Sequence, residues 1–206
     1  AARRMRRLAA FLALVIVCTG VHADALDALK AFVRDVQSGQ AESRQTVTSP
    51  DGKRVKNSSG NFEFARPNRF RFAYTRPFEQ VIVADGSKVW IYDRDLNQAS
   101  SRKLTQALGA TPAALLAGGS LERDFELKAA PDRNGLSWVE ATPRVRDGSL
   151  QTVRVGFRAG ELAAVEIVDS FGQTSLLQFD KFVPNVALPA ERFRFVVPAG
   201  ADLIEQ

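Results

Sequence analysis

Beyond residue 43 the chain alternates apolar and polar side chains with a period of two. The clearest case lies in residues 64–77, FARPNRFRFAYTRP. Phe70, Phe72 and Tyr74 alternate there with Arg69, Arg71 and Ala73, which puts rings on one face of a strand and mostly cations on the other. Similar runs occupy residues 43–48, 53–64, 69–75, 80–84, 88–92, 99–104, 125–129, 137–142, 150–157, 161–168, 174–182 and 192–197. Turn dipeptides separate many of them: Asp51-Gly52, Asp85-Gly86, Asn134-Gly135, Asp147-Gly148, Ala159-Gly160 and Phe171-Gly172. About a dozen strands at hairpin spacing predict an antiparallel meander long enough to curl. Ahead of them, residues 24–38 change period. Leu26, Leu29, Phe32, Val33 and Val36 form one helical stripe, and Gly39 is the expected stop.

One segment fits neither pattern. Residues 111–119, TPAALLAGG, read as a short helix with Thr111 as N-cap, Pro112 in the first turn and Gly118 at the stop. Its interior, Ala113 to Ala117, has no polar side chain, so it must be buried against something apolar. The strands 80–84 and 88–92 are apolar on both faces. Two apolar faces need two covers, and the two helices are the expected ones. The pattern alone leaves a packed core and a lined cavity both open.

The first 23 residues change the charge picture. Arg3, Arg4, Arg6 and Arg7 precede an apolar run, Leu8 to Val17, and Val21-His22-Ala23 offers a small-x-small cleavage site. This is the pattern of a secretory signal peptide, with Met5 a candidate start and residues 24–206 a single mature domain. Val17 before Cys18 does not fit a lipoprotein cleavage site. Removal of the segment takes four of the 28 Lys and Arg, leaving 24 against 23 Asp and Glu. That balance argues against a nucleic-acid partner. The only Cys and His, Cys18 and His22, leave with it. Catalysis by Ser-His-Asp triads or Cys nucleophiles is then excluded, as are imidazole and thiolate metal sites. Carboxylate pairs survive as enzymatic candidates, and Asp93 with Asp95 is one, although solvated charges of a hairpin read the same way. A membrane β-barrel is disfavoured because strands of about ten residues with a lipid-facing band are missing.

Taken in order, Arg66-Pro-Asn-Arg-Phe-Arg-Phe72, Pro77, Val81-Ile-Val-Ala-Asp-Gly86, Trp90-Ile-Tyr92 and Asp95-Leu-Asn-Gln98 resemble the LolA family of periplasmic lipoprotein carriers. Gln178-Phe-Asp-Lys-Phe182 and Phe193-Arg-Phe195 extend the likeness across nearly the whole mature chain. The resemblance implies a mainly β fold. It would be an antiparallel open, or half, β-barrel of about 11–12 strands, with an N-terminal helix and a short lid helix over an apolar cavity. It implies a monomer that takes the acyl chains of lipoproteins, with no enzymatic activity and no cofactor. An inner-membrane ABC transporter would load it, and an outer-membrane receptor lipoprotein would unload it. It further implies that Arg66 holds the lid shut through backbone carbonyls, a task to which its fork of donors is suited. The expected cavity lining is Phe62, Phe64, Phe70, Phe72, Tyr74, Val81, Val83 and Trp90, with Leu115 and Leu116 from the lid. A lipid-sensing or regulatory periplasmic domain on the same half-barrel is the alternative.

Overall fold

The computed structural model describes residues 24–107, 116–118, 121–145 and 150–205. The signal segment, residues 111–115 of the expected lid helix (Leu115 among them) and the Asp147-Gly148 turn lie outside these. Helix α1 spans Ala25–Asp35, with Asp24 accepting from the Leu26 N–H at 3.3 Å as N-cap. It ends three residues before the expected end, and the reason is Asn185. The Asn185 side chain donates to Asp35 O at 3.0 Å and accepts from the Gln37 N–H at 2.8 Å, capping the helix from across the fold. Gly39 is therefore not the stop. It lies in the first strand, where a Cβ would meet the Phe64 ring at 2.7 Å and Phe182 at 2.9 Å.

The strands are β1 (Ser38–Thr48), β2 (Val55–Ala65), β3 (Arg69–Arg76), β4 (Gln80–Asp85), β5 (Lys88–Asp93), β6 (Gln98–Lys103), β7 (Phe125–Arg133), β8 (Leu136–Pro143), β9 (Leu150–Arg158), β10 (Glu161–Asp169), β11 (Thr174–Pro184) and β12 (Asp202–Glu205). They form one sheet in the order β12-β6-β5-β4-β3-β2-β1-β11-β10-β9-β8-β7. The terminal strands β12 and β7 do not pair, so the sheet is open. Every pairing is antiparallel except β12 on β6, which is parallel. Short helices α2 (Leu104–Ala107) and α3 (Leu121–Asp124) flank the 111–119 segment. The expected strand at 192–197 is not one. Ala190–Phe193 is a 3₁₀ turn, and the last strand comes later, on the β6 edge.

The inner face carries the main core. Leu29 and Phe32 of α1 join Phe62, Phe64, Phe70 and Phe72 of β2 and β3, Val153, Val155 and Phe157 of β9, and Leu177 and Phe179 of β11. Phe32 sits 6.0 Å from Phe64 and 6.4 Å from Phe157, so one ring of the helix ties the two halves of the sheet. Leu136, Trp138, Ala163 and Ala164 form a smaller cluster on the outer face.

The second cover of the two-faced strands is neither helix. Trp90 and Tyr92 stack against Phe195, at 5.5 Å and 6.0 Å between centroids. Phe193 is buried, with the Arg69 guanidinium 5.8 Å over its ring. Buried Glu63 accepts from Arg192 on this same side, and Arg71 lies 3.8 Å away. The C-terminal segment thus packs on the outer face of β2 to β5. The residues that read as a strand are the cover instead: alternating Phe193 and Phe195 meet an apolar face without joining its ladder.

Candidate functional site

Strand alternation and register decide which side chains share a face. Phe62 pairs with Phe72 across β2 and β3, and Phe72 with Ile82 across β3 and β4. Ile82 then opposes Ile91 of β5. These inner positions lead from the packed core to a cleft of about 380 Å³. Phe72, Tyr74, Ile82, Val89, Ile91 and Leu177 form its apolar walls. Gln45, Ser58, Gln80, Asp93 and Arg102 supply polar edges, and Pro77 with exposed Phe78 stands at one end. Tyr74 stacks on Phe72 at 5.4 Å and donates to Gln45 Oε1 at 2.6 Å. Gln45 in turn donates to Ser175 Oγ at 2.7 Å. Burial pushes the Tyr74 phenol up to about 12, so it stays a neutral donor at any ordinary pH. A more open polar hollow of about 570 Å³ adjoins the cleft and shares Gln45, Ser58 and Pro77 with it.

At the opposite end of the same strands stands Arg66, on the β2–β3 turn. Its Nε donates to Val36 O at 2.9 Å, and Nη1 donates to Gly118 O. Val36 O is free for this because α1 has already stopped. The guanidinium also lies 5.4 Å over Phe32 and 5.6 Å over Phe64. Nη2 is buried and has no partner among the described residues. Desolvation holds the Arg66 pKa down to about 10, which leaves the group charged at neutral pH. The neighbouring backbone adds a second tie, Asn68 N–H to Ala117 O at 2.9 Å. One cation thus bridges the end of the N-terminal helix and the end of the 111–119 segment. Leu116 and Ala117 are buried in the core beside it.

The expected lining is therefore redistributed. Phe72 and Tyr74 line the cleft. Phe62, Phe64, Phe70 and Leu116 share that face but are sealed into the core between the cleft and Arg66. Phe62 is held by Phe72 at 4.7 Å, Phe179 at 5.2 Å and Phe64 at 5.7 Å. Val81, Val83 and Trp90 face the other way, because Ile82, Val89 and Ile91 already occupy the inner positions of their strands. Ile82, Val89, Ile91 and Leu177 are the wall residues that sequence reasoning missed. The register Phe72↔Ile82 would have found them, since a partner directly across from an inner ring is itself inner. Of the carboxylates Asp93 and Asp95, Asp93 Oδ1 accepts from the Leu96 N–H at 3.1 Å, as a turn carboxylate does.

A model of the family described as "Outer membrane lipoprotein carrier protein LolA" matches residues 34–196. The chain belongs to the LolA family. The LolA match takes in β1 to β11, Arg66 and every wall of the cleft. A protein named outer-membrane lipoprotein carrier protein from Methylibium petroleiphilum is 62% identical over 203 residues, covering 98% of this chain and 100% of its own. Another so named, from Leptothrix cholodnii, is 56% identical and covers 100% of this chain and 99% of its own. Among solved structures, a LolA superfamily protein from Nitrosomonas europaea matches with a TM-score of 0.50 at 16% identity, covering 84% of this chain and 98% of its own. At that identity the likeness speaks for the fold. No helix among the described residues is long and apolar enough to cross a membrane.

Proposed function

We propose that the exported chain is a periplasmic carrier that shelters the acyl chains of lipoproteins on its inner face. Residues 1–23 direct it across the inner membrane and are removed. An acyl chain costs about 0.8 kcal/mol per CH₂ to expose to water, so crossing an aqueous space needs a portable apolar surface. The observation that carries the reading is the continuity of that surface. The cleft walls run through Phe72 directly into the stacked Phe62 and Phe64, and Arg66 ties Gly118, next to buried Leu116 and Ala117, to the end of α1.

At about 380 Å³ the cleft is near the low end of ligand sites, which span roughly 300–1,000 Å³. Acylated cargo therefore enters by displacing the 111–119 segment with Leu115 and Leu116, which breaks the Arg66 bonds. Each such bond from a charged donor contributes about 1.5–3 kcal/mol, enough to hold the segment and small enough to yield to buried CH₂ groups. An inner-membrane ABC transporter loads the carrier, and an outer-membrane receptor lipoprotein with a more apolar or unlidded cavity empties it. Binding by apolarity lets one carrier serve many lipoproteins.

The test is release. Purified protein added to spheroplasts should bring newly made lipoproteins into the soluble fraction, bound to it one to one. Lipoproteins that stay on the spheroplast membrane in its presence would overturn the reading.

A further inference from the structure

The two ends of the sheet differ in a way the cleft does not require. The register places the turns after β1, β3, β5, β8 and β10 at one end, and those after β2, β4, β7 and β9 at the Arg66 end. Each turn at the first end carries, within it or at the strand residue that follows it, one large apolar residue in solvent: Val55, Phe78, Leu96, Val145 and Phe171, from 54% to 80% exposed. The Arg66-end turns carry Pro67-Asn68, Gly86-Ser87, Asn134-Gly135 and Ala159-Gly160 and have none. Isolated exposed apolar residues are ordinary, but five of them segregated to five successive tips of one end are not.

Cations accompany them. Lys53, Arg54, Lys56 and Arg76 are all exposed, and no carboxylate lies within ion-pair distance of any of them among the described residues. The acids nearby are mostly committed to their own turns. Asp51 accepts from Ser49 Oγ and the Lys53 N–H, and Asp169 accepts from the N–H groups of Phe171 and Gln173. Glu79 is paired with Arg94, and Asp95 is left over. Basic side chains without an ion-pair partner are densest around Val55 and Phe78, where Asp51 stays an anion held in its own turn.

We infer that this end docks on an anionic lipid bilayer, with Val55 and Phe78 seated at the headgroup level and Lys53, Arg54, Lys56 and Arg76 on the lipid phosphates. The geometry favours a bilayer over a protein partner. A protein interface wants a contiguous apolar core, whereas these residues stand singly on separate tips. A fluid interface can wet each tip separately while long basic side chains reach outward past them. The cleft opens toward the same end, through Phe78 and Pro77. The inference stands without the carrier reading, because it concerns the empty protein.

The test is flotation of the purified, cargo-free exported protein with vesicles of phosphatidylglycerol and phosphatidylethanolamine, against vesicles of phosphatidylcholine alone. Binding is expected to the anionic vesicles only and to fade as salt rises. Each cation near such a surface multiplies affinity roughly fivefold, so Lys53→Ala, Arg54→Ala and Lys56→Ala together should lower binding on the order of a hundredfold at low salt. Val55→Ser with Phe78→Ser should lower it further, while Val183→Ser, an exposed valine at the Arg66 end, should change nothing. Equal binding to both vesicle types, no binding to either, or an equal loss from Val183→Ser would overturn the inference. A protein that fails here yet still releases lipoproteins from spheroplasts would keep its carrier function and lose this surface.

Discussion

Tyr74 and Arg66 mark the two ends of one apolar face, and each makes a separable prediction. The unfolded chain ionises the Tyr74 phenol near pH 10, whereas burial moves it to about 12 in the fold. The raised value means that its contribution is whole below pH 10 and is lost as pH rises to 12, by roughly 2–3 kcal/mol. Urea midpoints measured across that window should fall less in Tyr74→Phe than in the parent. For Arg66, Lys is not a conservative change. A single ammonium cannot hold two carbonyls on separate segments with the planar fork that Nε and Nη1 provide. Arg66→Lys and Arg66→Leu should therefore both bind more of an environment-sensitive apolar dye than the parent, with the closed state weakened by about 1.5–3 kcal/mol per bond. Equal dye binding in all three proteins would remove Arg66 from control of the covering segment. Arg66 was legible in the sequence only through a family likeness. By itself, an arginine before a proline reads as a surface cation, and nothing local reveals two carbonyls brought to it from residues 36 and 118.

At the scale of elements, alternation located most strands but could not say which face was which. Strands β4 and β5 are apolar on both sides, so their period carries no sign, and the inward expectation for Val81, Val83 and Trp90 is the wrong one of two equal choices. The sign comes from what covers each face, and the outer cover is a segment more than 100 residues away in sequence. Its strand-like pattern reflects that packing. Phe193→Ala should thus behave as a core truncation, costing about 3–5 kcal/mol in chemical denaturation, despite its place in an irregular tail. A loss below 1 kcal/mol would mean that the tail is not part of the outer core. Gly60 is a second case. It lies in β2 next to the irregular pairing between Ser59 and Gly60, and a Cβ there would fall 2.0 Å from Ala73 O. Backbone cannot yield as a side chain can, so Gly60→Ala should part β2 from β3 and lower stability by more than the 1–3 kcal/mol of ordinary overpacking. Nothing about a lone glycine in a run of Asn and Ser residues signals this, because the constraint is set by the neighbouring strand. The early end of α1 was hidden for the same reason, since its cap, Asn185, arrives from the far end of β11.

The whole molecule is an open sheet whose inner face is part core and part cleft. That division explains why pattern alone could not choose between a packed interior and a cavity: both are present on the same strands. Near Arg66 the rings are sealed by α1 and by Leu116 and Ala117. Toward the other end they give way to Tyr74, Ile82 and Ile91, which face the cleft. An apolar face left part-filled is a poor solution for stability alone. It is the expected one for a protein whose interior must accept and give up foreign acyl chains. The most direct measurement is intact mass spectrometry of the protein isolated gently from the periplasm, followed by identification of what dissociates from it. A population carrying one acylated lipoprotein, shifted in amount by Arg66→Leu, is the predicted result. Protein that carries no acylated species, even when lipoprotein synthesis is raised, would contradict the account and leave the Phe face as a core and nothing more.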